Sequence, residues 1–96
     1  MNVKLDRKFK ATVFKVKDGS YVPEDQWVVF LAKDNAFLPT LSFYLEECAR
    51  QGADERQLAA VRLLMARVET WRSANPDKCK VPDIRDGEKL ISEDLV

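Results

Sequence analysis

Trp27-Val28-Val29-Phe30-Leu31-Ala32 is a run of six apolar residues, most of them aromatic or β-branched. Such a run reads as a β-strand. Alternation along a strand puts Trp27, Val29 and Leu31 on one face and Val28, Phe30 and Ala32 on the other. A strand apolar on both faces needs cover on both. Two amphipathic helices later in the chain offer one cover; the other must come from a neighbouring segment or a second copy of the chain.

Upstream, Phe9-Lys10-Ala11-Thr12-Val13-Phe14-Lys15-Val16 carries the next β signal. Its apolar set changes face partway, as at a bulge or a half-covered edge strand. Lys10, Lys15 and Lys17 suit an edge that resists pairing with other chains. Asp18-Gly19 signals a turn, while Pro23 cannot donate in a ladder. The expected layout is therefore a hairpin of these two strands, joined by a long connection over residues 17–25. Residues 20–22 could add a short third strand.

Downstream, Asp34 and Asn35 are good helix caps, and Pro39 is tolerated only in a first turn. Leu38, Leu41, Leu45 and Cys48 recur at helical spacing, so a helix is expected from Ala36 or Pro39 to Gln51, ended by Gly52. Asp54 with Gln57 resembles a capping box for a second helix. Leu58, Val61, Met65 and Val68 form its stripe, widened by Leu64 and Trp71, and Asn75-Pro76 stops it. The short Gly52-Ala53 connection makes the helices an antiparallel hairpin. After Asp77 the periodicity vanishes. The expected fold is α+β: a two- or three-stranded antiparallel sheet packed on a helix hairpin, in the order ββαα. Residues 1–76 form the domain and residues 77–96 an irregular arm.

Ninety-six residues, 46% hydrophobic and 33% charged, fit one small globular domain rather than a disordered chain. Net charge is zero, distributed as +3 over residues 1–33, −1 over 34–75 and −2 over 76–96. A slightly basic head and acidic tail set up no strong field for nucleic acid or membrane. No stretch approaches the ~20 apolar residues of a membrane helix, and the amino end lacks the apolar core of a signal peptide. Cytoplasm is the default expectation, with Cys48 and Cys79 as thiols.

Chemistry is hard to find. The chain has no His, which removes the commonest general base and metal ligand. Cys48 and Cys79 do not make a zinc site. Gly19, Gly52 and Gly87 are isolated, so no phosphate-cradling loop exists. Glu46 and Glu47 are neighbours on a helix and do not face each other. Cys48 lies on the apolar stripe without a partner base. The expectation is a non-enzyme with no cofactor and no metal. Two binding surfaces compete. One is a protein-interaction or homodimer surface around Trp27, Val28, Val29, Phe30 and Trp71. The other is a nucleic-acid contact through Lys8, Lys10, Lys15 and Lys17, interleaved with aromatics but interrupted by Asp6 and Asp18.

Ala32-Lys33-Asp34-Asn35-Ala36-Phe37-Leu38-Pro39-Thr40-Leu41, with Trp71 and Asn75-Pro76-Asp77-Lys78-Cys79-Lys80-Val81-Pro82-Asp83, resembles small proteins of actinobacterial phages. These motifs have no known mechanism. The resemblance implies a phage gene product that acts in the host cytoplasm or as an accessory particle component. Non-enzymatic binding to a host or phage protein is then the expected role, and no catalytic residue carries over.

Overall fold

The computed structural model describes residues 9–83. Four elements follow in the order ββαα: β1 (Val13–Phe14), β2 (Tyr21–Val22), α1 (Phe37–Arg50) and α2 (Glu55–Ala74). The fold is α+β, with a two-stranded antiparallel sheet and a pair of helices that pack on each other. The chain divides into two units. Residues 9–29 with Asp83 belong to the first, and Phe30–Pro82 form the second.

In the first unit β1 and β2 pair in the register Val13↔Val22 and Phe14↔Tyr21. The turn is tighter than the long connection expected over residues 17–25. The Gly19 N–H donates to the Lys15 carbonyl at 2.8 Å, and the Lys15 N–H donates to the Ser20 carbonyl at 2.8 Å. That four-residue loop needs a left-handed last residue, which Gly19 supplies with φ +74°. The Asp18 carboxylate accepts from the Ser20 hydroxyl and N–H, bonds that hold its pKa below the usual carboxylate range. Local turn chemistry thus hands β1 the segment at residues 20–22 as its partner.

This displaces the strand expected at residues 27–32, and the correction is clear. Pro23 starts a 3-10 turn, Glu24–Gln26, and residues 27–31 join no ladder among the described residues. The period-two alternation nevertheless survives: Trp27 and Val29 are half-buried, whereas Val28 and Phe30 are each 53% exposed. The expected strand over residues 9–16 also shrinks, to Val13–Phe14.

The second unit follows its local signals closely. Pro39 occupies the third position of α1, inside the first turn where its missing N–H costs nothing. Ala36, not Asp34 or Asn35, is the N-cap residue. Asp34 works two positions earlier, its carboxylate accepting from the Ala36 N–H at 2.7 Å. At the far end the Gly52 N–H donates to Ala49 and the Ala53 N–H to Cys48, a Schellman motif around Gly52 at φ +77°. A Cβ at Gly52 would meet nothing within 4 Å, so the demand is purely conformational. Gly52→Ala is expected to cost about 1–2 kcal/mol through the left-handed backbone alone. Urea denaturation followed by helical circular dichroism checks this, and an unchanged midpoint would refute it.

α2 opens on Asp54, whose carboxylate accepts from the Arg56 N–H at 2.8 Å and from its guanidinium at 3.0 Å. These bonds lower the Asp54 pKa, so the cap is fully effective above the ordinary carboxylate range and is lost as pH falls through the lowered value. Asp54 supplies the side-chain capping bond of α2. The buried residues among those described are Leu41 of α1 and Leu58, Val61 and Val68 of α2, all on the expected stripes. Met65, expected among them, is half-buried. A helix pair covers only its seam, and a methionine is long enough to extend beyond it. Among the described residues no helix is long and apolar enough to cross a membrane.

Candidate functional site

Unequal helix lengths create the feature of most interest. α1 has 14 residues and α2 has 20. In an antiparallel hairpin the six extra residues carry α2 past the start of α1 by ~9 Å. The last turn of α2 therefore meets the segment that precedes α1. Arg72 makes the join: its guanidinium donates to the Ala32 carbonyl at 3.0 Å and to the Asn35 side-chain oxygen at 2.8 Å.

Beyond Arg72 the chain returns to the same place. Asn75 caps α2, its side-chain amide donating to the Trp71 carbonyl and its N–H to the Arg72 carbonyl. Pro76–Lys78 form a 3-10 turn. Cys79 then points its thiol at the Asn75 carbonyl, 3.4 Å away, and more loosely at that of Arg72. The carbonyls that a helix end leaves without partners are thus met locally. Lys80 follows as a one-rung parallel bridge with Asp34. The Lys80 N–H donates to Lys33 and the Lys80 carbonyl accepts from the Asn35 N–H, both at 2.9 Å. Residues 77–82, the start of the expected arm, therefore lie within the helical unit, while the arm from residue 84 lies outside the described residues.

No known family, curated protein or solved structure matches the chain. Its site must be read from geometry alone. The segments on either side of the helix pair, residues 32–36 and 75–80, meet here in one clasp.

Of the candidate interaction residues, Phe30 and Trp71 belong to this unit. Phe30 stacks on Phe37 with ring centroids 5.3 Å apart and planes 16° from parallel, yet remains 53% exposed. Trp71 sits beside Arg72 in the same turn of α2 and is 36% exposed. Leu31 and Val81 add exposed apolar surface to the two chain segments of the clasp. Trp27, Val28 and Val29 fall in the first unit, as do Lys10, Lys15 and Lys17, all three exposed. Lys8 lies outside the described residues.

The cysteines stand at opposite ends of α2. Cys48 is bonded through its carbonyl to the turn before α2, and Cys79 caps its far end. A 20-residue helix separates them by roughly 30 Å, too far for a disulfide. Both are free and half-buried. The Cys48 thiol holds the Tyr44 phenol above its ordinary pKa through a hydrogen bond, and Gln57 is the other polar group there. Glu47 spends its carboxylate on Arg50 and Gln51, which lower its pKa. Among the described residues no cluster of three metal-ligating side chains occurs. What the helical unit presents at this end is aromatic surface, Phe30 and Trp71.

Arg72 is the functional residue that sequence reasoning missed. It reads as surface charge on α2, and a bond to a carbonyl forty residues away leaves no trace in local pattern.

Proposed function

We propose that this chain is a non-catalytic protein-binding module whose contact surface is the clasp around Phe30 and Trp71. The observation that carries the reading is the Phe30 ring, positioned by stacking on Phe37 and still half in water. A rigid, exposed aromatic is the kind of side chain that anchors protein interfaces, because little entropy is lost when it is buried by a partner. The resemblance to phage proteins fits an accessory product that acts on a host or phage protein. A second copy of the chain is the simplest alternative partner.

The test compares the intact chain with Phe30→Asp and Trp71→Asp as baits in a host lysate, with sedimentation of the pure protein alongside. Expected is a discrete captured protein, or a concentration-dependent dimer, that both substitutions abolish while helical circular dichroism is retained. Capture or dimerisation that survives both substitutions would refute the clasp as the contact surface.

A further inference from the structure

The hairpin of the first unit carries a second exposed aromatic pair. Phe14 and Tyr21 are directly opposed across the ladder, so their rings share one face. Their centroids lie 5.9 Å apart at 61°, an edge-to-face pair, and the residues are 57% and 58% exposed. An edge-to-face pair covers at most one ring face, which leaves flat π surface open. The sequence places Phe9, Phe14 and Tyr21 near the lysines, with Phe9 and Phe14 on opposite strand faces; it is Phe14 and Tyr21 that pair.

Three lysines lie near this pair in the chain. Lys10, Lys15 and Lys17 are exposed and lie within four residues of Phe14. None is ion-paired with a carboxylate among the described residues. The intervening acid, Asp18, is engaged by Ser20, and the next acids, Glu24 and Asp25, belong to the 3-10 turn beyond Pro23. Asp18 stays ionised, so residues 10–20 carry three lysines against one carboxylate in a chain of zero net charge.

We propose that the hairpin and the segment leading into it, with Phe14 and Tyr21 as stacking surface and Lys10, Lys15 and Lys17 as phosphate contacts, dock single-stranded nucleic acid. Unpaired bases offer faces that stack on aromatic rings, and their phosphates match unpaired lysines. A duplex hides its base faces, so the same surface discriminates against it. A partner protein is a poorer match, since it would bury three lysines without necessarily offering them anions. This site lies in the other unit from the clasp and stands or falls independently of it.

The experiment is fluorescence anisotropy of a labelled oligothymidylate titrated with the full-length chain, with a mixed-sequence duplex as comparison. Single-strand binding is expected at about 50 mM salt, weakening with a log–log slope near −2 for three phosphate contacts. Phe14→Leu/Tyr21→Leu, which keeps apolar volume but removes the rings, should weaken binding roughly tenfold or more. Tyr21→Phe should bind as the parent does. Lys15→Gln/Lys17→Gln should flatten the salt slope to about −0.7. Slow hydrogen exchange of the Lys15 and Gly19 amides, whose bonds close the hairpin, confirms that each variant keeps the turn. No binding at protein concentrations up to about 0.1 mM would overturn the proposal. So would equal affinity for duplex, or an unchanged affinity when both rings are removed.

Discussion

Leu58→Ala is expected to lower the unfolding free energy by about 2–3 kcal/mol, and Met65→Ala by only about 1 kcal/mol. Leu58 is 8% exposed and shares the helix seam with Leu41, Val61 and Val68. Truncating a buried leucine loses transfer free energy and leaves a cavity that neighbours fill only in part. The seam of a two-helix unit is thin, so partial collapse keeps the cost near the low end of the range. That is still a large share of the stability of so small a domain. Met65 has the right helical phase but is half-buried, and part of its side chain is wet in both states. Exposed Glu69→Ala should change stability by under roughly 0.5 kcal/mol. Urea midpoints of the three variants measure the order directly. A Met65 variant as unstable as the Leu58 one would mean that the seam runs along another line of α2.

That ordering shows where sequence reasoning is strong. The helices were legible because their signals are local. Pro39 admits only a first turn, Gly52 marks a left-handed cap, Asp54 accepts from the first N–H groups, and Asn75-Pro76 ends the repeat. The stripe through Leu41, Leu58, Val61 and Val68 follows from spacing alone. Met65 departs from it because burial depends on how much cover a seam provides, and spacing is silent on that.

The strand at residues 27–32 failed for the complementary reason. Apolar, β-branched residues say that a segment suits an extended chain, and alternation says which side chains share a face. Both held in part, since Trp27 and Val29 are more buried than Val28 and Phe30. Pairing is decided by what the chain brings alongside, and Gly19 closes a turn early enough to give β1 the short segment Tyr21–Val22. Gly19 was visible as a turn residue. Its consequence for the downstream run was not, because which segment lies alongside β1 is decided by tertiary arrangement and not by local pattern. Of the candidate site, the aromatics were legible and their support was not. Phe30 and Trp71 stand out as large apolar residues, whereas Arg72 looks like any solvated arginine until the six-residue overhang of α2 places it over Ala32 and Asn35.

Arg72→Ala should therefore do more than remove a charge. Its guanidinium forks between a backbone carbonyl and an amide oxygen, and charged donors in such bonds contribute about 1.5–3 kcal/mol each when buried. The bond to Ala32 is part-buried and the one to Asn35 exposed, so about 2 kcal/mol in total is expected. Arg72→Lys should recover little of it, because an ammonium cannot span both acceptors in a fixed fork. Asn35→Ala removes one branch only. Combined with Arg72→Ala it should add less than its own single effect, since contacting partners are not additive. The loss should also be local. Hydrogen exchange is expected to speed up at the Lys80 and Asn35 amides, which make the bridge, while amides in the middle of α2 keep their protection. Loosening this segment frees the chain two residues from Phe30, so the stacked ring loses its fixed position and a partner bound there should be held more weakly. If both amides stay protected in the Arg72→Ala protein, the bridge holds without Arg72 and the clasp has another keystone.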